Sequence, residues 1–140
     1  VKIRVAGVTI EKGKILTMRY NYGGQNVYVL PGGNLEFGEE MKDALQRELL
    51  EELQIETEVG DEVLIAEVVL NEEKTLHQLF TCKIKKGDPQ LNTIETKALE
   101  VCWLDMGKIG NYNLYPNVSQ YLLKDFLEDK YVGVIEQKWH

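Results

Sequence analysis

GNLEFGEEMKDALQRELLEELQI, residues 33–55, is the stretch on which the reading of this chain turns. From Glu39 onward it changes to a helical period: Met41, Ala44, Leu45 and Leu49 recur on one stripe, and Glu39 and Glu40 stand where the positive end of a helix favours acids. The spacing predicts a helix over 39–53. One and two turns further on, Glu48 and Glu52 continue the apolar stripe. Acids therefore occupy places where apolar residues are expected. At about 100° per residue, Glu48, Glu51 and Glu52 fall within roughly a third of the helix circumference, so three carboxylates converge on one side. Crowded ionised carboxylates are costly unless paired or bound to a metal, and hard divalent cations prefer oxygen ligands. The bland alternative is a solvated acidic face.

Working outward, residues 3–10 and 14–20 are rich in β-branched and apolar positions around Gly13 and predict a hairpin. A Gly23-Gly24 loop follows. Residues 27–30 read as a short buried strand that stops at Pro31-Gly32-Gly33, where proline has no N–H to give a ladder. Beyond the helix, 59–70 and 75–85 alternate as strands, 100–104 adds another, 118–127 suits a second amphipathic helix, and 132–135 a last strand. The expected architecture is a mixed sheet covered by at least two helices.

The chain has 140 residues, enough for one domain, 1–140, with one core. Its apolar runs are too short and too interrupted to span a membrane. The opening residues look like a strand rather than a secretory signal, so a cytoplasmic protein is expected. Cys82 and Cys102 have neither zinc-site spacing nor a disulfide pattern, and free buried thiols are expected. A net charge of −7 argues against a nucleic-acid partner, because such binding rests on Lys and Arg neutralising phosphates. An anionic substrate would have to be met through cations. His77 lacks a second histidine at ligand spacing and is not read as a metal ligand.

The pattern Gly33-x5-Glu39-x7-Arg47-Glu48-Leu49-x-Glu51-Glu52-x-Gln54-Ile55 resembles the 23-residue Nudix box, G-x5-E-x7-R-E-U-x-E-E-x-G-U with U aliphatic, and Leu30-Pro31-Gly32 precedes it as is common in that family. The resemblance implies an α/β (α+β) fold of the Nudix type, an α/β/α sandwich with a mixed β-sheet between helices. It implies a divalent ion, Mg²⁺ with Mn²⁺ as the alternative, held by Glu48, Glu51, Glu52 and the Gly32 carbonyl. Arg47 would orient the glutamates, and Glu39 would either approach the metal through water or favour the helix start. Glu48, Glu51, Glu52 and Arg47 are thus the expected catalytic set. Gln54 departs from the pattern at a place where a left-handed backbone favours glycine, which puts the loop geometry in question more than the acids.

The implied activity is metal-dependent cleavage of a pyrophosphate linkage in a nucleoside diphosphate derivative: ADP-ribose, a nucleotide sugar or an oxidised nucleoside triphosphate. The general base is open among Glu51, Glu52, Glu95 and Glu100. Arg19, Tyr20 and Tyr22 are candidates for holding a phosphate and stacking on a base, with Glu100 nearby and Arg4 read equally as a pocket or a surface residue. Proteins of this kind are commonly homodimers. A binding-only module that senses a nucleotide, and an acidic helix that serves as a protein interface, are the alternatives from other classes.

Overall fold

The computed structural model describes residues 2–123 and 130–139. The chain is a mixed α+β fold, as expected, but its strands divide into two sheets. In the first, β1 (Lys2–Val8) lies between β7 (Glu73–Lys86) and the short β5 (Gly32–Asn34), while β6 (Glu56–Leu70) joins β7 to the edge strand β10 (Tyr131–Glu136). β1 runs parallel to β7 and antiparallel to β5; β6 and β7 are a long antiparallel hairpin. In the second sheet β3 (Lys14–Tyr22) is central. One edge pairs with β8 (Glu100–Asp105) and the other with β2 (Ile10–Glu11) and then β4 (Gln25–Val29), beyond which lies β9 (Leu114–Tyr115).

The single sheet expected from the sequence is split because the chain changes sheet at Leu30-Pro31. Pro31 has no N–H with which to continue the β4 ladder. Its carbonyl instead accepts from the Gly7 amide at 2.8 Å, which starts β5 against β1.

Strand β1 is buried on both faces, and its period-2 alternation feeds two cores. Val5 faces the helix α1 (Met41–Leu53), where Ala44, Leu45, Leu49 and Leu53 pack on Leu16, Met18, Ile55 and Phe80. Ala6 and Val8 face the opposite core of Leu30, Ala66, Val68, Leu79, Ile109, Leu114 and Val118. Ile109 comes from a 3₁₀ segment, Met106–Asn111, started by the Asp105 carboxylate accepting from the Gly107 amide. Each fully buried leucine of α1 contributes on the order of 1.5–3 kcal/mol, so this stripe anchors the helix and leaves its acidic side free for other work.

The helix begins at Met41, two residues later than the sequence suggests, because the Glu39 carboxylate is engaged elsewhere and Glu40 caps without a side-chain bond. Of the second predicted helix, Ser119–Leu122 forms the helix α2, with Val118 and Leu122 in the core; its continuation, including Phe126, lies outside the described residues. Cys82 is buried, Cys102 is only half-buried, and both are free. Among the described residues, no helix is long and apolar enough to cross a membrane.

Candidate active site

The acidic side of α1 is organised by Arg47. Its guanidinium donates two bonds to Glu39, at 2.7 and 3.1 Å, and one nitrogen reaches both Glu48 and Glu51 at 3.1 Å. Glu36 adds a longer contact at 3.7 Å. A planar fork fixes several carboxylates at once in a way a lysine cannot. The bond from Arg47 holds Glu39 below the usual carboxylate range. Glu39, read as a metal neighbour or a helix starter, is thus the residue that grips Arg47.

Glu48 and Glu52 are the inward members of the acidic face. The Glu48 carboxylate lies against Gly33 so closely that a Cβ there would sit 2.3 Å from its carboxyl carbon. Gly33 of the box is therefore a packing necessity rather than a turn residue. Burial raises Glu48, against the opposing effect of Arg47. Burial, followed by the negative charge of Glu48, pushes Glu52 up to about 8, with smaller contributions in the same direction from Glu51 and Glu95. The more exposed Glu51 points to Arg47.

Glu95 reaches this neighbourhood because residues 90–96 fold back on the end of the helix. The amides of Gln90 and Asn92 donate to the carbonyls of Leu53 and Glu52 at 3.0 and 2.9 Å. These satisfy helix-end acceptors that would otherwise lack partners. Gln54 takes the left-handed conformation that its place in the motif demands, φ 59° and ψ 35°, and its amide reaches the Gln90 carbonyl at 3.3 Å.

Glu52, Gly32, Gly33 and Asn34 line a cavity of about 590 Å³ whose other walls include Arg4, Tyr20, Tyr22, Tyr115 and Trp139. That volume suits a nucleotide-sized ligand. Tyr20 and Tyr22 stack nearly parallel, 5.8 Å between centroids at 7°, and the Tyr20 hydroxyl is 2.9 Å from that of Thr96. Both tyrosines lie in strand β3, which runs two residues beyond the 14–20 stretch expected from the sequence. The same strand separates Arg19 from them, since neighbouring side chains point to opposite faces. Arg19 pairs with Glu100 at 3.4 Å and with Asn26, and the Cys102 thiol donates to Glu100 at 2.9 Å. Glu100 and Arg19 form a pair to one side and do not line the cavity.

Arg4 was left undecided by the sequence. Its Nη2 donates to the Leu30 carbonyl at 2.7 Å, and its guanidinium lies over the Tyr115 ring at 5.8 Å. Its Nη1 is buried with no hydrogen-bond partner among the described residues. The available signal was alternation: Arg4 shares a strand face with Ala6 and Val8, so the β1 pattern places a cation on a buried face.

The donor chemistry of the acidic face fits a hard divalent cation. All the candidate ligands are oxygens. The two inward acids resist ionising beside each other, which is the electrostatic condition that a bound cation relieves. The acids are not already closed into a cage: among the described residues, no three His, Cys, Asp or Glu are gathered at ligating distance.

Comparison with known proteins gives the family and the fold. The chain belongs to the Nudix family, the NUDIX domain model matching residues 1–126. It is a hydrolase of that family, and solved MutT and Nudix proteins share its fold. The solution structure of the E. coli ORF135 protein superposes with a TM-score of 0.71 at 25% identity, covering 86% of this chain and 85% of that one. The MutT protein from Methanosarcina mazei Go1 gives 0.72 at 25% identity, over 86% and 88%. An ADP-ribose pyrophosphatase from Streptococcus suis gives 0.68 at 18% identity, over 95% and 97%, a likeness of fold alone. No curated protein matches the chain by sequence.

Proposed function

We propose that the protein hydrolyses the pyrophosphate linkage of a nucleoside diphosphate derivative, with Mg²⁺ or Mn²⁺ held by Glu48, Glu51, Glu52 and the carbonyl of Gly32. The observation that carries this reading is the placement of Glu52, a desolvated carboxylate beside Glu48, in the wall of a nucleotide-sized cavity with stacked tyrosines. When bound, such an ion neutralises phosphate charge and lowers the pKa of a water.

The chain's own residues supply the rest. Arg47 keeps one oxygen each of Glu48 and Glu51 occupied and so orients the remaining oxygens. Gly32 and Gly33 line the same wall as Glu52, so their backbone borders the path of a diphosphate held there. Tyr20 and Tyr22 offer aromatic faces to a base. A proton must leave the attacking water, and the position of Glu100 in its pair with Arg19 favours the acids of the helix or Glu95 as its acceptor. The substrate on this reading is a free small molecule, in keeping with the net charge of −7.

The test is phosphate release, coupled through a phosphatase where needed, from a panel of ADP-ribose, nucleotide sugars, dinucleoside polyphosphates and nucleoside triphosphates, with and without Mg²⁺. Magnesium-dependent cleavage of one class that disappears in Glu52→Gln is the expected result. Tight nucleotide binding with no cleavage anywhere in the panel would replace this reading with that of a sensing module.

A further inference from the structure

We propose that Arg4 binds a phosphate group of the substrate, so that the nucleotide is recognised by a cation at one wall of the cavity as well as through the acidic helix at the other. This rests on the nucleotide reading above and extends it to a residue outside the motif. Among the described residues that line the cavity, Arg4 is the one Lys or Arg. The remaining lining is aromatic, aliphatic, amide, glycine and the single acid Glu52. A polyanion entering there meets no other positive side chain.

The guanidinium is prepared for such a contact. Nη2 is fixed by the Leu30 carbonyl at the point where the chain passes from one sheet to the other, and the plane is backed by Tyr115. Nη1 is left buried and unpartnered. A charged donor kept from water without an acceptor is costly, and such groups are retained chiefly where something else supplies the acceptor. Leu30 provides one oxygen only. An anion in the cavity beside Arg4, on the side away from the Tyr115 ring, supplies another, reached by a small rotation of the guanidinium within the cavity wall. An arginine held this way by one backbone bond retains donors of its fork for a phosphate.

The arrangement also defines the ligand. Tyr22 is more than half exposed at the outer end of the tyrosine stack, and Trp139 stands in the same cavity. A base laid on this aromatic wall leaves its phosphates to extend along Gly32, Gly33 and Asn34 between Arg4 and Glu52. The substrate class is a nucleotide with a chain of at least two phosphates, bound by base and phosphate together.

The experiment compares two probes with Mg²⁺ present: the non-cleavable α,β-methylene-ADP and adenosine, which carries the base without phosphate. Titration calorimetry on Arg4→Met is expected to show at least a tenfold loss of affinity for methylene-ADP and none for adenosine, with Arg4→Lys between Arg4→Met and the unsubstituted chain. In the unsubstituted chain, the Arg4 Nε resonance is expected to shift on adding methylene-ADP and to stay fixed with adenosine; this keeps the test decisive if Arg4→Met does not fold. An unmoved resonance, or equal loss for both probes, overturns the proposal. Binding through Arg4 without turnover of any panel substrate would remove the hydrolase reading and leave this one standing. Turnover with unchanged methylene-ADP affinity in Arg4→Lys and Arg4→Met would do the reverse.

Discussion

Two arginines face each other's problem from opposite ends of the site. Arg47 is saturated: Glu39, Glu48, Glu51 and Glu36 all lie within 3.7 Å, and Glu39 most of all, with Glu48 and Glu36, holds its proton more firmly than usual. Arg4 has one carbonyl, an aromatic face and an open donor, and burial works against its charge. The first arrangement is complete within the protein and serves to fix carboxylates. The second is incomplete without a partner. A guanidinium whose donors are taken supports geometry, and one with a buried donor left unmade marks where an acceptor belongs.

The largest effect should come from the acids that Arg47 arranges. Glu48→Gln and Glu52→Gln are each expected to lower turnover by about 10²–10⁴-fold, while circular dichroism shows an intact fold, since a neutral side chain of the same size relieves rather than creates repulsion. Activity within threefold of the unsubstituted chain in both variants would break the comparison at its acidic end. Arg47→Met leaves several carboxylates without their counter-ion and should cost about 1–3 kcal/mol of stability in denaturant unfolding, because the pairs are only partly buried. Arg47→Lys should recover part of this. A stability change no greater than that of Arg4→Lys would show that saturation is not what distinguishes the two arginines.

How much of this was open to reading from residue order depends on distance along the chain. The helix and its acid face were legible because residues 41–53 set both by local period. Tyr20 and Tyr22 were recognised, but reading Arg19 with them beside the Gly23-Gly24 loop passed over the strand: the alternation of β3, which runs to Tyr22, sends Arg19 to the other face, where Glu100 meets it across the register. Arg4 escaped because its meaning is made by Leu30 and Tyr115, the second of which arrives by the parallel pairing of β9 with β4. The Leu30-Pro31 crossing was visible as a strand stop, while its consequence, a second sheet, needed the partner strand β1.

His77 sharpens the comparison at the Arg4 end. It is Arg4's register partner across β1 and β7, packs edge-on to Tyr115 at 5.1 Å, and has neither ring nitrogen bonded among the described residues. Burial, with a smaller contribution from Arg4, lowers its pKa to about 3. Its folded value lies below its unfolded one, so the unfolded chain takes up a proton that the folded chain refuses. The stability this confers is present above about pH 6.5 and is lost as pH falls towards 3, by at most about 1.4 kcal/mol per pH unit. In His77→Leu that loss should vanish, so the variant gains on the unsubstituted chain below pH 6.5 in urea titrations. Parallel pH profiles would mean that His77 is protonated in place.

The smallest effect concerns Gln54. Replacing it with glycine relieves left-handed strain of about 1 kcal/mol but removes the bond to Gln90 and loosens the unfolded chain. A net change of less than about 1 kcal/mol is expected. A larger loss would show that the side-chain tie to residues 90–91 outweighs the backbone.

The parallel pairing of β1 with β7 has a consequence for the protein's birth. Lys2 pairs with Thr75 and Val8 with Thr81. At about 5–20 residues per second of synthesis, β1 emerges roughly 4–15 s before its long partner, with only the three residues of β5 to pair with it sooner and the helix α1 to cover Val5. The core face of Ala6 and Val8 thus waits for Ala66, Val68 and Leu79, and a nascent chain halted before residue 73 should recruit chaperones that a chain with the β6–β7 hairpin complete no longer needs.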